Sequence, residues 1–417
     1  MRIFSPLSAT ALLATLSLRT TAGFTINAPQ EHLTRSVRSY HTTTSLHAGA
    51  ARKQRKVEVE EDTDWQVEEF VAEFATDYHA PVMLKECIDT LLACPRSDSP
   101  RLFVDGTLGG GGHSSALLQR LAPGDVVFGC DVDPEALKTA SERLKEYMDH
   151  DGSDKALFVP VQSNFCNLAT KIPEILHPTT QEPIVTDGVD GILLDLGVSS
   201  HQIDTAERGF AFLKEGPLDM RMGTNSTGGL TAADILNEFG VDEIRRILKQ
   251  YGDEPRAKSI SLSIVNHRPL TTTKDLVQAV AAVVPEFARK GRRMGRSATL
   301  ARVFQSMRIV VNREDQVLDQ ALLEMCPALV RPGGRLVVLS YHSMEDRAAK
   351  RVMRDGTTKK RPNDERDMYG NYIGTPRPWK TLGKSQKATD QEIALNSPAR
   401  SATLRVGERT GDSTNKS

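Results

Sequence analysis

The sequence predicts an alternating α/β fold for most of its 417 residues. Three observations carry that expectation. Short apolar runs recur from Leu102 onward, acids close three of them (Asp105, Asp131 and Asp195), and a glycine-rich turn joins the first run directly to a helix-like stretch. The length suits one sizeable core with an appendage, since domains run roughly 100–200 residues.

The first run, 102–105, is a short strand, followed at once by Gly106-Thr-Leu-Gly-Gly-Gly-Gly-His113 and a helix-like run over 114–121. Glycines at a strand-to-helix turn let backbone approach a ligand closely, and the helix start points free N–H groups at it. Taken alone, the turn fits a nucleotide-type ligand or a plain tight turn equally well. The second strand, 126–130, ends in Asp131, about 20 residues beyond the glycines, where a nucleoside-binding sheet sets an acid against ribose hydroxyls. The same stretch, through Asp133-Pro134, also spells a helix N-cap.

A third strand, 156–160, precedes Asn164-Phe165, whose ring suits either an adenine face or the core. The fourth strand, 191–195, opens into Leu-Gly-Val-Ser-Ser-His-Gln202. Ligands of open α/β sheets bind beyond the carboxyl ends of the strands, so polar groups leaving Asp195 are expected to face a substrate. A fifth strand, 335–340, follows a Pro332-Gly-Gly turn and delivers Tyr341-His342-Ser343 with Glu345-Asp-Arg347. Residues 401–406 are expected to close the sheet.

The formal charge of -1 hides a segregation. Residues 1–56 carry +7 and residues 57–77 carry -9, which leaves +1 for the remainder. A nearly neutral body argues against indiscriminate polyanion binding and leaves room for local basic patches. Cys87, Cys94, Cys130, Cys166 and Cys326 are odd in number and form no C-x-x-C pair, so neither a disulfide framework nor a zinc knuckle is suggested. Buried apolar packing is their expected use, and no metal site is expected.

The first segment, 1–56, reads as an address. Arg2 precedes an apolar run, 9–18, of signal-peptide length, with small residues before Phe24 suited to cleavage. That run is too short to span a membrane as a mature helix, so no membrane partner is expected for the mature chain. A Ser/Thr/Arg-rich stretch poor in acids follows, with the composition of a transit peptide. The tandem resembles the bipartite presequences of algae whose plastids lie behind extra membranes, and a single mitochondrial presequence is the alternative. The acidic stretch 57–77 reads as a linker, and 411–417 as a disordered tail.

Seven motifs in order carry a family resemblance: Asp105-Gly-Thr-x-Gly-x-Gly-Gly-His113, Leu193-Leu-Asp-Leu-Gly-Val-Ser-Ser200, Glu207-Arg-Gly-Phe210, Gly216-Pro-Leu-Asp-Met-Arg-Met222, Tyr251-Gly-Asp-Glu254, Phe304-Gln305 with Arg308-Ile309 and Val311-Asn312, and His342-Ser343 with Glu345-Asp-Arg347. Across 78–409 the chain resembles the bacterial ribosomal RNA small-subunit methyltransferase H family, also called MraW. The resemblance implies a Rossmann-like, S-adenosylmethionine-dependent methyltransferase sheet, methylating the exocyclic amine, N4, of a decoding-centre cytidine. Its partner is then small-subunit ribosomal RNA or an assembling small subunit, and a homodimer is compatible with it. Carried over by position, cofactor contacts fall on Gly111, Gly112, His113, Asp131, Phe165, Asp195 and Gln202. The departures include His201 for a common proline, and Tyr341 and Met344 for Phe and Leu beside His342.

The resemblance also divides the methyltransferase domain into 78–209 and 298–410 around an inserted helical domain, 210–297. Within it Thr231 is expected to cap a helix through Glu238, Asp242 another through Tyr251, and 275–284 is amphipathic. The insertion's expected task is gripping RNA, through Arg289, Lys290, Arg292, Arg293 and Arg296; a solvated connector is the plainer reading. Arg347 opens a second basic run. The segment 361–387 reads as a long loop whose Tyr369, Tyr372 and Trp379 either stack on bases or anchor the loop.

For the chemistry, Asp195, with Ser199, Ser200 or loop carbonyls, is expected to accept the amine hydrogens, while His342 seats the base or relays the proton; no metal is required. The Asp/Asn-Pro-Pro-Tyr loop common in DNA amino-methyltransferases is absent, which disfavours DNA. A nicotinamide-dependent oxidoreductase shares the glycine turn and the ribose acid, and an inactive assembly factor would share the fold. The intact loops after strands four and five argue against the assembly factor, and binding of S-adenosylmethionine against a dinucleotide separates the two enzymes.

Overall fold

In a computed structural model the chain is described over residues 81–96, 99–148, 154–223, 229–286, 295–359, 368–369 and 377–411. The expected segments 1–56 and 57–77 lie outside these residues, as does the tail from 412.

Seven strands form one sheet in the order β3-β2-β1-β4-β5-β7-β6. They are β1 (Leu102–Asp105), β2 (Val126–Asp131), β3 (Leu157–Gln162), β4 (Val189–Asp195), β5 (Val330–Ser340), β6 (Trp379–Thr381) and β7 (Thr403–Arg409). The first five run parallel, and β7 lies antiparallel between β5 and β6. Parallel strands buried on both faces need continuous apolar runs, which these have.

Alternation along each strand decides which face a side chain joins. Phe103, Leu193 and Val337 pack with Cys87, Ile88 and Leu91 of helix α1 (Leu84–Leu92) on one face. Val104, Ile192, Leu194 and Val338 pack on the other, against Leu322 and Met325 and against Val352 and Met353. Cys87, Cys94, Cys130 and Cys326 are buried as small apolar groups, and Cys166 is half-buried.

β1 meets the glycine turn at α2 (Gly112–Leu118), and β2 leads to α3 (Pro134–Arg143), whose N-cap Asp133 accepts from Glu135 N–H at 3.1 Å. β4 leads through the serine loop to a single turn, α4 (Ser200–Asp204). β1 and β4 are neighbours, with Asp105 paired to Leu193, so the glycine turn and the serine loop emerge side by side at the carboxyl edge.

The helical insertion has its own core. Thr231 caps α5 (Ala232–Glu238) in a capping box with Asp234. Gly240, not Asp242, is the N-cap of α6 (Val241–Gln250); Asp242 sits inside the first turn, where its charge still suits the helix dipole. Helices α7 (Ala257–Asn266) and α8 (Thr273–Ala281) follow, the second capped by Thr272 with Asp275. Ile235, Ile244, Leu248, Ile260, Ile264 and Leu276 form the centre of this core. The core does not end at residue 297: Leu300, Val303, Phe304 and Met307 of α9 (Arg296–Asn312) lie in it too, because that helix turns its apolar stripe toward the insertion. Asn312 then ties the two parts, donating to Met220 C=O at 2.8 Å and accepting from Met222 N–H at 2.8 Å.

Beyond α9 the chain forms α10 (Glu314–Gln320) and α11 (Cys326–Leu329) before β5, and α12 (Ser343–Asp355) after it. The segment expected as one long loop contains β6, and Trp379 is 2 % exposed within the sheet's core, so it is not a base-stacking residue. Tyr369 is 81 % exposed, and Tyr372 lies outside the described residues. Among the described residues no helix is long and apolar enough to cross a membrane.

Candidate active site

A cavity of about 680 Å³ opens at the carboxyl edge of β1, β2, β4 and β5 and continues under the insertion. Its sheet side is built on Asp105. That buried carboxylate accepts from Thr107 N–H at 3.2 Å and from Ser114 Oγ at 2.8 Å, fastening the glycine turn to α2.

Gly112 faces the cavity, and a Cβ there would stand 2.3 Å from Pro81 Cγ, which explains its identity. Gly111 does not line the cavity. Its φ of 75° requires glycine, and it packs on α3, where a Cβ would meet Ala140 Cβ at 3.1 Å. It shapes the turn from behind, between Gly110 and Gly112, which both line the cavity.

Asp131 lines the cavity at the end of β2. Its Oδ2 accepts from Gly109 N–H and its Oδ1 from Asp133 N–H, both at 2.9 Å. Burial holds its pKa above the usual carboxylate value against these bonds. Two backbone N–H bonds fix the carboxylate while leaving lone pairs for a diol. Phe165, half-buried, lines the same end.

Asp195 ends β4 and takes part in three contacts. Its N–H donates to Thr107 Oγ1 at 2.7 Å, its Oδ1 accepts from Tyr341 O–H at 2.7 Å, and its Oδ2 faces His113 Nδ1 at 3.8 Å. Burial pushes the carboxyl up to about 7; the Tyr341 hydrogen bond opposes that shift and the Glu345 charge adds to it. His113 is 7 % exposed, with Nε2 3.1 Å from Val82 C=O, and burial lowers its pKa, keeping the ring neutral.

The serine loop is held by its own caps. Ser199 Oγ accepts from Gln202 N–H at 3.2 Å, and Gln202 Oε1 accepts from Ser199 N–H at 3.1 Å. Gln202 Nε2 donates to Asp133 Oδ2 at 3.3 Å. Both residues line the cavity, and these hydrogen bonds hold the loop in shape, with Ser199 as the N-cap of α4. Ser200 begins α4, and its side chain lies outside the described residues. His201 Nε2 lies 3.3 Å from Glu135, on the outer side of the loop.

The insertion side of the cavity holds Phe210, Phe212, Phe304, Gln305 and Arg308. Arg308 donates to both oxygens of Glu314, at 2.8 and 2.9 Å. His342 lines the cavity as the N-cap of α12, with Nε2 2.8 Å from Glu345 Oε1. Glu345 Oε2 accepts from Tyr341 N–H at 2.9 Å and His342 N–H at 3.4 Å. Glu314, His342 and Glu345 bring one ligand atom each within 4.8 Å of one another. The carboxylates are already committed, Glu314 to Arg308 and Glu345 to backbone N–H groups, so the set reads as an ion-pair network.

The expected RNA contacts Arg289, Lys290, Arg292 and Arg293 lie outside the described residues. Arg296 is half-buried, and its Nε donates to Val284 C=O at 3.1 Å, which pins the start of α9. Arg347 is exposed on α12 and donates to Ser343. Sequence reasoning missed Tyr341 as the partner of Asp195 and missed Gln305 and Arg308 as cavity residues. The signal for the first was present, since both residues leave adjacent parallel strands at the same edge.

Residues 76–410 match the MraW methylase family. The chain belongs to that family. A "Ribosomal RNA small subunit methyltransferase H" of Pelodictyon phaeoclathratiforme is 41% identical over 80% of this chain and 95% of its own length. One of the same name from Geobacter sulfurreducens is 41% identical over 79% of this chain and 98% of its own. A magnesium protoporphyrin IX methyltransferase of Synechocystis, solved with bound S-adenosylmethionine, is 8% identical, covers 84% of this chain and 87% of its own, and has a TM-score of 0.29.

As a MraW-family methyltransferase, the chain uses S-adenosylmethionine, and the residues present fit that donor. Asp131 would supply acceptors for ribose hydroxyls, Phe165 an apolar face, and the Gly106–His113 turn a close backbone approach at a helix start. When bound, the donor supplies an electrophilic methyl carried on a sulfonium. The chain's own part is to seat the acceptor beside it.

Proposed function

We propose that this chain methylates N4 of a cytidine in the decoding centre of organellar small-subunit ribosomal RNA. The reading is carried by Asp195: a carboxylate in the shared cavity whose Oδ2 has no donor among the described residues. A cytosine amine is a poor nucleophile because its lone pair is spread into the ring. An acceptor that bonds an amine hydrogen restores electron density on nitrogen and then takes the proton. Holding the amine in line with the breaking bond supplies the rest of the acceleration.

The names of the curated relatives support small-subunit ribosomal RNA as the substrate. His342, held by Glu345 at the cavity edge, seats the base. The base is turned out of its stack to reach the cavity, and the insertion grips the RNA around it, with the cluster from Arg289 to Arg296 and Arg347 on phosphates. Residues 1–56 direct the chain to a plastid through a signal and a transit-like segment. A fluorescent fusion of 1–77 tests this, and a mitochondrial signal would replace it. Mass spectrometry of organellar small-subunit RNA from a depleted strain tests the substrate: loss of one methyl at a decoding-centre cytidine is expected, and an unchanged nucleotide rejects the assignment.

A further inference from the structure

Tyr341 stands where β5 gives way to α12, and its two ends are both held. Its N–H donates to Glu345 Oε2 at 2.9 Å, and its hydroxyl donates to Asp195 Oδ1 at 2.7 Å. The side chain lines the same cavity. A residue fixed through its backbone at a helix start has little freedom to swing its hydroxyl away, so Oδ1 stays occupied.

The other oxygen is in a different situation. Oδ2 faces His113 Nδ1 at 3.8 Å, beyond hydrogen-bond distance. His113 is neutral, and with Nε2 donating to Val82 C=O its Nδ1 carries a lone pair. Oδ2 and Nδ1 are therefore two acceptors side by side with no donor between them among the described residues. An amine carries the hydrogens that this pair lacks.

We propose that Tyr341 is a positioning residue of the methyl transfer: its hydroxyl occupies Oδ1 of Asp195 and so presents Oδ2 to the substrate amine. The inference rests on the reading of Asp195 as the proton acceptor. As nitrogen gains its methyl and the carbon–sulfur bond breaks, one amine proton passes to Oδ2. The carboxylate becomes a carboxyl and returns that proton to water before the next turnover.

Tyr341 also keeps Asp195 ready for this. Burial drives the carboxyl toward its neutral form, and the Tyr341 hydrogen bond favours the ionised one. The tyrosine itself is held well above its usual pKa, first by burial and then by Asp195, so it remains the donor. The other groups bearing on Asp195 are Glu345 on α12, His113 on α2, Asp105 at the end of β1 and Cys87 on α1. All of them remain in Tyr341→Phe.

Tyr341→Phe is the test, since it removes one hydroxyl and installs the ring that the family resemblance leads one to expect there. Two readouts are needed: a 13C NMR titration of the Asp195 carboxyl in the protein without donor, assigned by the signal lost in Asp195→Asn, and the pH profile of methyl transfer to small ribosomal subunits. The carboxyl pKa is expected to rise by about one unit, and the acid limb of kcat to move with it. At pH 7 kcat should fall by roughly 5–10-fold, with KM for donor and subunit within about twofold. An unmoved carboxyl pKa and acid limb would overturn the inference, as would a loss confined to KM for the donor. Asp195→Asn separates the two levels. If it is inactive while Tyr341→Phe shifts nothing, only the role of Tyr341 fails; if it turns over like the parent, the reading of Asp195 fails and takes this inference with it.

Discussion

His113 Nδ1 and Asp195 Oδ2 stand 3.8 Å apart, although 82 positions separate them in the chain. Their approach brings the glycine turn after β1 and the loop after β4 into one cavity. A donor site and an acceptor site can share a reaction only if these two segments meet.

Replacing Asp195 by Asn should lower kcat by about 10²–10⁴-fold, the usual contribution of a positioned general base. It should also stabilise the protein at high pH. The folded carboxyl titrates at about 7, above its unfolded value near 4, so the native state holds a proton that the unfolded chain has released. That contribution is full below the unfolded pKa and lost as pH rises through about 7. Thermal melts should therefore show Asp195→Asn more stable than the parent at pH 8, by on the order of 2–4 kcal/mol, with the gap shrinking toward pH 4. A gap that widens on acidification would contradict the burial argument.

Arg208 ties the serine loop to the sheet: it pairs with the buried Asp133 at 2.7 Å and donates to Met222 C=O at 2.8 Å. Arg208→Met leaves that carboxylate uncompensated. A loss of about 3–5 kcal/mol in denaturant unfolding is expected. Because Asp133 also receives Gln202, weaker S-adenosylmethionine binding by calorimetry should accompany it.

Gly209 has a φ of 73°, and a Cβ there would lie 2.0 Å from Pro217 O, a backbone atom that cannot step aside. Gly209→Ala should cost more than the about 1–2 kcal/mol of a strained φ alone and lower Tm by several degrees. An unchanged Tm would mean that the turn relaxes.

Asn312 closes three hydrogen bonds, to Met220 C=O, Met222 N–H and Arg308 C=O. Asn312→Ala should destabilise by about 1–3 kcal/mol, since partly buried backbone groups lose their partners. Hydrogen exchange should accelerate at Met222, whose N–H is the donor in that set.

The parallel sheet was legible because its strands are apolar runs bounded by turns, and the carboxyl edge follows from strand order. Asp133 as a cap and Thr231 as another were also legible, since short polar side chains before a helix have one evident use. At Gly111 the sequence shows that a glycine is needed but not that α3 presses on it. The strand that holds Trp379 reads as loop from the sequence because three strand residues after a Pro-containing segment carry too little period to reveal an edge strand. Tyr341 and Arg308 depend on contacts between segments far apart in sequence, which no local pattern encodes.

The most direct test of the central claim is the identity of the product. Purified protein, S-adenosylmethionine bearing a labelled methyl and small ribosomal subunits should be incubated together, and the digested RNA resolved by nucleoside mass spectrometry. Label in N4-methylcytidine from a single decoding-centre position, absent with Asp195→Asn, is the expected result. Label on a ring carbon, on a ribose hydroxyl or in any other nucleoside would contradict it.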